Sequence, residues 1–322
     1  INETLKHLCP LLNEFEIFLM VYDSSTDKET ETVCNIYKKI YPNITYKHFD
    51  ENNDYGLKTI NCIIDSPTQY VWLCSDRKII TRQAIVNVLN YLDNDYEFIL
   101  VDRRSSQVDV VKEYSSAVDF FKKYLWSATV YGGSIVKKEL LQALNIVNCQ
   151  KKYGQNFLYV CMVFEGLALK GQNVKILYAP ITYCSTANNS NGSGWVKDAF
   201  QIFGIEWIYA INNLPSLYDN EKSGAILMHG MKSGLFTQQG FERLRKDDVL
   251  NNQSYEKYKN IFSQITEVDL DTIKHIANNP AFFYKLKYYP EFLKGEIRFL
   301  CRKVLNLIDY NDSFYKKSYK KG

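Results

Sequence analysis

The sequence is poor in patterns that bind metals or form disulfides. It has eight cysteines and only four histidines in 322 residues, and no two cysteines form a C-x-x-C pair. Structural zinc sites usually draw on such pairs, and disulfides belong mainly to secreted chains. Most of the cysteines instead lie inside apolar segments, as Cys74 does. We therefore expect reduced thiols in the core of a cytoplasmic protein.

Long apolar runs are also missing. The most apolar stretch, LYVCMVF (158–164), is much shorter than the roughly 20 residues that a membrane-spanning helix needs. No secretory signal peptide is recognisable. The first residue is Ile1 and not Met, so we expect the native start to lie upstream, and the sequence says little about targeting.

A strong charge of either sign is absent as well. The formal net charge of +3 is too small to indicate a protein that binds nucleic acid. With 46% hydrophobic and 23% charged residues, the chain can bury a large core. We expect a soluble globular protein with one domain of roughly 200 to 250 residues and a smaller appendage.

The first half of the chain alternates between strand patterns and helix patterns. Apolar runs such as EIFLMVY, QYVWLC and EFILV are separated by amphipathic segments such as DKETETVCNIYKKI. This alternation predicts a mostly parallel sheet with helices on both faces. The segment ATVYGGSIVKKELLQAL predicts a strand, a glycine turn and a helix in that order, and from about residue 196 the pattern is helical.

Carboxylates follow three of the predicted strands: Asp23, Asp76 and Asp102. A single carboxylate in such a place is usually a turn or helix-cap residue. Ligands of open α/β sheets, however, bind at the carboxyl ends of the strands. Three carboxylates at one edge therefore predict a functional site there.

Three segments, in this order, resemble the motifs of family 2 glycosyltransferases. YDSSTDKET is similar to the Asp-x-Ser-x-Asp turn that follows the family's second strand, and ENNDYGLKTIN is similar to its Asn-x-x-Gly-x-x-x-x-Asn segment. YVWLCSDRKI resembles the strand that ends in the family's Asp-x-Asp metal motif. The resemblance covers roughly residues 1–180 and is faint beyond them.

The resemblance implies a nucleotide-diphospho-sugar (GT-A) fold, an α/β structure with a mixed, mostly parallel sheet flanked by helices and a helical C-terminal extension. Residues 1–195 would form the catalytic domain. Residues 196–322 would contact the acceptor, a membrane or a partner. Because the family opens with one more strand, we expect that strand to precede Ile1.

The family's functional positions can be carried over to this chain. The resemblance implies that Asp23 accepts a hydrogen bond from the nucleotide base, that Asp27 caps the next helix, and that Asp76 faces the ribose, the diphosphate or a metal ion. The residues implied to lie along the nucleotide are Asn53, Gly56 and Asn61. For Asn53 and Gly56, a simple turn before a helix is the alternative interpretation.

Two cations, Arg77 and Lys78, stand where the family has a second metal-binding carboxylate. A diphosphate leaving group gains negative charge in the transition state, and a metal ion, Lys or Arg can stabilise it. With Asp76 as the motif's single carboxylate, a weak need for Mg²⁺ or Mn²⁺ and independence of metal both remain open. In a third interpretation the two cations are solvated residues at the start of a helix.

The usual catalytic base is also missing. No Asp or Glu occurs from Leu140 to Phe164, around the start of the helix where the family's inverting members carry that base, and Glu165 lies well inside the helix. Three hypotheses remain. The base comes from elsewhere, with Asp102 and Asp198 as candidates; the enzyme retains anomeric configuration; or the site is inactive.

Other residues have weaker claims. Trp195 follows the loop NNSNGSGW and would either stack on a sugar or fill the core, and His229 would either contact a phosphate or be structural. The C-terminal tail mixes aromatic residues with lysines. It would either lie on an anionic membrane surface or pack on the main domain as a helix with a solvated basic face.

The sequence thus favours a cytoplasmic glycosyltransferase, in contact with the inner face of the membrane if the tail binds lipid. Its donor would be a nucleotide-diphosphate sugar, with UDP suggested by family habit alone. Its acceptor would be a glycan, a lipid-linked sugar or a glycoprotein in surface polysaccharide or glycoprotein assembly. The alternative is a non-catalytic relative that binds nucleotide or glycan and partners an active transferase.

Overall fold

The computed structural model describes residues 1–49, 54–76, 78–101, 110–171, 174–181, 184–186 and 194–288. Over these ranges the protein is a mixed α/β structure. Strands and helices alternate up to about residue 186, and helices follow. The predicted fold class is confirmed in these terms, including the helical C-terminal region.

Several helices begin at a side chain that caps the first turn. Asp54, Thr81 and Ser116 each accept a hydrogen bond from the backbone N–H three residues further on. The α-helices of the described ranges are α1 (Asn2–Glu14), α2 (Glu29–Lys38), α3 (Tyr55–Ile64), α4 (Arg82–Leu92), α5 (Ala117–Ala128), α6 (Glu139–Gln142), α7 (Ile146–Tyr153), α8 (Leu158–Lys170), α9 (Trp207–Asn212), α10 (Asp219–Lys232), α11 (Gln238–Lys246), α12 (Asn252–Ile265) and α13 (Leu270–Asn278). Two 3-10 helices (Gly194–Asp198 and Ser216–Tyr218), a π-helix (Gln201–Glu206) and a last helix over 281–288 are also present.

The described strands form one five-stranded sheet and two strand pairs. The strands are β1 (Leu19–Asp23), β2 (Ile44–His48), β3 (Tyr70–Trp72), β4 (Lys78–Ile80), β5 (Phe98–Val101), β6 (Lys112–Tyr114), β7 (Ser134–Lys137), β8 (Ile176–Ala179) and β9 (Cys184–Thr186). The five-stranded sheet has the order β3-β7-β5-β8-β6, while β1 pairs with β2 and β4 pairs with β9. In the centre of the sheet, Phe98 lies opposite Val136 on one side and Ile176 on the other.

The strand directions differ from the prediction of a mostly parallel sheet. Of the six strand pairs in the described ranges, two are parallel and four are antiparallel. Strands that are buried on both faces are continuous apolar runs whichever way they point, so their composition does not encode direction. The predicted order around residues 128–144 is also wrong, because the glycine turn precedes strand β7 and does not follow a strand.

Three strands of the sheet nevertheless point the same way. Both β3 and β5 are antiparallel to β7, and β8 is parallel to β5. Their last residues, Trp72, Val101 and Ala179, therefore lie at one edge, which we call the carboxyl edge. Open α/β sheets bind their ligands at such an edge.

The hydrophobic core lies on both faces of the sheet. All residues of β5, β7 and β8 are buried. Alternate residues belong to different core clusters, since Phe98 and Leu100 pack in one and Ile99 and Val101 in the other. This alternation follows from the period of two in a strand.

The helices after residue 196 share the larger of these clusters with α5 and α8. The Tyr218 ring stacks on Phe121 with a centroid distance of 4.4 Å, and its hydroxyl donates to the Phe164 carbonyl (2.8 Å). The domain boundary at residues 195 and 196 stays a prediction. Among the described helices, none combines the length and apolar composition that crossing a bilayer requires.

The prediction of thiols in the core is confirmed for four of the described cysteines. Cys9, Cys34, Cys149 and Cys161 are free and buried. Cys74, however, is exposed, so the prediction of a core position for it is wrong. Strand β3 ends at Trp72, which leaves residue 74 in the loop that follows.

Gly230 in α10 marks a close approach between two C-terminal helices. A methyl group built there would lie 2.0 Å from the carbonyl oxygen of Ile265 at the end of α12, whereas at Gly224 in the same helix no such neighbour lies within 4 Å. We expect Gly230→Ala to lower the free energy of unfolding by about 1–3 kcal/mol through overpacking. Gly224→Ala, the matched control, should raise it by up to about 1 kcal/mol. Urea denaturation measures both, and equal stability of the two variants would contradict this packing.

Candidate functional site

The turn Tyr131–Gly133 joins the ends of several strands at the carboxyl edge. The Gly132 N–H donates to the carbonyl of Leu73, just past β3 (2.7 Å), and the Val101 N–H at the end of β5 donates to the Gly133 carbonyl (2.7 Å). Gly132 has a φ of 97°, in the left-handed region that glycine adopts at little cost. The turn therefore fixes where the loops after β3 and β5 begin.

Asp23, the last residue of β1, is buried and organises the turn that follows it. Its Oδ1 accepts the Ser25 N–H (3.0 Å), both of its oxygens lie 2.8 Å from the Ser25 hydroxyl, and its Oδ2 accepts the Tyr46 hydroxyl (3.0 Å). Burial raises the pKa of Asp23, but these hydrogen bonds outweigh it and hold the pKa below its ordinary value. The carboxylate is therefore ionised at neutral pH and has little acceptor capacity left for a nucleotide base.

Asp76 is exposed in the loop after β3, and its backbone carbonyl accepts the hydroxyl of Thr4 in the first turn of α1. In the described ranges, Asp23 ends β1, which pairs with β2 and not with the five-stranded sheet that contains β3.

Three other predicted residues, Asn53, Arg77 and Asp102, lie outside the described residues. The backbone of Lys78 begins β4, opposite Thr186 of β9, and its side chain is not described. The interpretation that Lys78 starts a helix is therefore wrong. The other roles predicted for these four residues stay predictions.

The first turn of α3 packs against the residues that precede α8. Asp54 caps α3 and accepts the Gln150 amide at 2.5 Å, and a methyl group at Gly56 would lie 2.3 Å from the Gln155 carbonyl oxygen. The close approach predicted between Gly56 and a nucleotide is thus made to protein backbone, and a nucleotide contact there stays a prediction. Asn61 lies half-buried on the same helix.

Two side chains near this edge were not among the predicted site residues. Lys58 of α3 donates to the Ser24 hydroxyl (2.8 Å), directly after Asp23. Tyr131 is 40% exposed, and its hydroxyl lies 2.8 Å from that of Thr59, also on α3. Lys58 stands within the ENNDYGLKTIN motif, so its position was a usable signal, whereas nothing local in the sequence marked Tyr131.

A carboxylate from a distant part of the chain reaches the start of α8. The Asn156 amide donates to Oε2 of Glu206 (2.5 Å), and the Gln201 amide donates to its Oε1 (3.3 Å). Glu206 ends the π-helix, a rare form that is frequent at functional sites. Tyr159, one turn beyond Asn156, stacks on Tyr131 with a centroid distance of 6.0 Å. Glu206 therefore lies at the start of α8, the helix whose Tyr159 contacts Tyr131 at the carboxyl edge.

The carboxylates considered from the sequence are placed differently. Glu165 faces α7, where it accepts Lys152 at 3.2 Å and the Tyr153 hydroxyl, so it joins two helices. Asp198 is exposed at the end of a 3-10 helix. Among the described hydrogen bonds, it is Glu206 that reaches the start of α8.

The two predicted substrate-binding side chains have different surroundings. Trp195 is 40% exposed and packs edge-on against Phe203, with ring centroids 5.0 Å apart, so one part of the ring is open to a ligand. His229 is buried between Phe203 and Trp207, and its Nε2 lies 3.4 Å from the Thr129 hydroxyl. That is a core position, and we leave His229 out of the site proposed below.

A divalent metal ion needs several ligand side chains that lie close together. In the part of the chain that the structure describes, no three His, Cys, Asp or Glu side chains are grouped so that they could hold a metal ion. Asp76, the predicted ligand, brings one carboxylate, and Mg²⁺ or Mn²⁺ sites generally use more oxygen ligands. These residues do not form a metal site by themselves.

Comparison with known proteins finds similarity to solved structures. No family model matches the chain, and no curated protein matches it. The crystal structure of S. aureus TarS is 11% identical with a TM-score of 0.47, and the match covers 85% of this chain and 52% of that one. The structure of S. aureus TarS 1-349 is 11% identical with a TM-score of 0.46, and the match covers 90% and 88%.

A third similar structure is the mannosyltransferase PcManGT from Pyrobaculum calidifontis in complex with GDP-Man and Mn²⁺. It is 12% identical with a TM-score of 0.44, and the match covers 82% of both chains. This chain spans about half the length of the longer TarS chain, 52%. Similarities this distant assign no role to any residue here.

The hydrogen bond from Tyr46 gives Asp23 a testable pKa. The pKa of Asp23 is depressed in the folded state. The ionised carboxylate therefore stabilises the folded protein above the unfolded pKa of about 4, and this stabilisation is lost as the pH falls through the folded pKa. We expect Tyr46→Phe to raise the pKa of Asp23 and to lower stability near neutral pH by about 1 kcal/mol. A carboxyl ¹³C NMR titration measures the pKa. Tyr37→Phe, whose hydroxyl contacts Asn2, is the control, and an unchanged Asp23 pKa in Tyr46→Phe would contradict the assignment.

Proposed function

We propose that the protein is a glycosyltransferase of the GT-A type that uses a nucleotide-diphosphate sugar, UDP-linked in our proposal, and a glycan, lipid-linked or glycoprotein acceptor. One observation carries the proposal. The cation Lys58 lies on α3 and contacts the turn after Asp23, and the half-exposed ring of Tyr131, at the carboxyl edge, contacts the same helix. A diphosphate needs a cation such as Lys58, and a base or sugar ring can stack on Tyr131.

The proposed chemistry at the donor depends on positive charge. When the bond from the anomeric carbon to the diphosphate breaks, its electron pair leaves with the diphosphate, so a nearby cation stabilises the transition state more than the ground state. Lys58 supplies such a charge in this proposal, with Arg77 and Lys78 as further candidates. Asp76 would face the ribose or the diphosphate, and Asn53, Gly56 and Asn61 would line the nucleotide.

The proposed acceptor chemistry uses Glu206. Its carboxylate would take the proton of the acceptor hydroxyl while that oxygen attacks the anomeric carbon, a direct displacement that inverts the centre. Asn156 and Gln201 orient the carboxylate for this role. Trp195, next to Phe203 of the same π-helix, would stack on the acceptor sugar. Asp102 and Asp198 are the alternative bases.

The test is release of nucleotide from a panel of UDP-, GDP- and dTDP-sugars, with and without EDTA. We expect release from one donor class. Lys58→Ala should lower kcat/KM about 10- to 100-fold, because a hydrogen bond to a charged group contributes about 1.5–3 kcal/mol. Release that survives EDTA and falls in Arg77→Ala or Lys78→Ala would assign part of the charge to those residues.

Lys47→Ala is the matched control. Lys47 and Lys58 each lie 5.5 Å from a tyrosine ring, but Lys47 is paired with Asp65 at 2.6 Å. Its loss should leave kcat/KM unchanged. Nucleotide binding without release from any donor would favour the non-catalytic relative, and an equal loss in both lysine variants would contradict the role of Lys58.

Glu206→Gln tests the proposed base. The amide keeps an oxygen that can accept from Asn156 but cannot take a proton at neutral pH. We expect kcat for transfer to fall about 10²- to 10⁴-fold, with the donor KM unchanged. Asp198→Asn should remain near the wild-type rate. Steady-state kinetics with the active donor gives both constants, and a wild-type kcat in Glu206→Gln would remove Glu206 from the mechanism.

A further inference from the structure

The last described helix, over 281–288, is held firmly by one of its faces. Tyr284 and Tyr288 are buried. Lys287 contacts both carboxylate oxygens of the buried Glu242 at 2.7 and 2.8 Å, the Tyr288 hydroxyl donates to the same carboxylate, and Arg243 lies 5.5 Å from the Tyr288 ring. The helix is thus fixed to α11, and its orientation is set.

The opposite face of this helix presents large apolar side chains to solvent. Phe282 is 63% exposed, Phe283 is 60% exposed and Leu286 is 55% exposed. Positions 282, 283 and 286 are neighbours on one helical face, because residues three and four apart lie side by side. Single exposed apolar residues are ordinary, but three together on an anchored helix indicate a surface that is covered in use. We call these three residues the apolar face.

Positive charge accompanies the apolar face in the sequence. Lys285, on the same helix, is exposed. In the sequence, residues 289–322 contain eight Lys or Arg and four Asp or Glu, a formal excess of four positive charges, together with seven aromatic residues. Apolar residues beside lysines and aromatics are the composition of segments that bind at anionic lipid interfaces.

A second copy of the chain is a poorer occupant. Stable protein interfaces bury about 800 Å² on each partner. Three side chains supply only part of such an area, and two copies of the chain carry net charge of the same sign. A lipid surface needs no matching shape and supplies the opposite charge.

We propose that this end of the protein docks on an anionic membrane surface, with Phe282, Phe283 and Leu286 inserted at the interface and Lys285 at the level of the headgroups. The docking does not depend on the proposed function. A vesicle assay without any sugar donor therefore tests it separately.

The experiment is sedimentation of the full chain with vesicles of phosphatidylcholine alone or mixed with phosphatidylglycerol. We expect binding to the mixed vesicles, release by salt, and little binding to phosphatidylcholine alone. A triple variant, Phe282→Ser with Phe283→Ser and Leu286→Ser, should bind about tenfold more weakly or less. All three positions are exposed, and circular dichroism confirms that the variant folds.

The matched control replaces three exposed apolar residues on other elements: Ile40→Ser, Val147→Ser and Leu169→Ser. These are 71%, 58% and 67% exposed, so the loss of exposed apolar surface is similar. The control should bind like the wild type. Failure of the wild-type chain to bind, equal binding of the two triple variants, or equal binding to neutral vesicles would overturn the proposal. A wild-type dimer that the first triple variant dissolves, without vesicle binding, would assign the apolar face to a second copy.

Discussion

The structure depends on a small set of backbone hydrogen bonds around the Tyr131–Gly133 turn. This turn accepts from Val101, donates to Leu73 and also receives the indole N–H of Trp72 at 2.9 Å. Buried backbone groups must find partners, and here those partners lie at the ends of different strands. As a result, the loops after β3 and β5 begin at fixed points, and Tyr131 is held at the carboxyl edge.

The proposed site is assembled around this edge from segments that are distant in the sequence. Lys58 contacts Ser24, Tyr131 contacts Thr59, and the Asn156 amide holds a carboxylate that lies 50 positions later. Its charges suit a phosphate-bearing ligand, because the hydrogen-bond partner described for Lys58 is a neutral hydroxyl. Asp23, in contrast, is committed to its own turn. The donor site we propose is thus built more from a cation and an aromatic ring than from paired carboxylates.

Much of the fold was predictable because it depends on local periodicity. The amphipathic segment DKETETVCNIYKKI predicts α2, and the apolar run EFILV predicts β5, each within a few residues of the observed bounds. Strand direction was not predictable, since the antiparallel course of β7 comes from its neighbours and leaves no mark in SIVK. The predicted strand QYVWLC ends at Cys74, whereas β3 ends at Trp72. Cys74 therefore lies in a loop and not in the core.

The candidate site was less predictable than the fold. The sequence predicts one sheet edge for Asp23 and Asp76, but in the described ranges Asp23 ends β1, which pairs with β2 outside the five-stranded sheet. His229 shows the limit, since a lone histidine looks the same in sequence whether it faces a ligand or packs between two rings. The position of Glu206 could not be predicted from the sequence, because only the tertiary fold brings it to Asn156.

The most direct test of the account is a crystal structure of the protein with UDP. We predict that the diphosphate lies within hydrogen-bonding distance of the Lys58 ammonium and that the nucleoside lies beside the exposed part of Tyr131. Nucleotide bound to a surface away from Lys58 and Tyr131 would contradict the account. So would a site at the carboxyl edge that stays empty at saturating nucleotide.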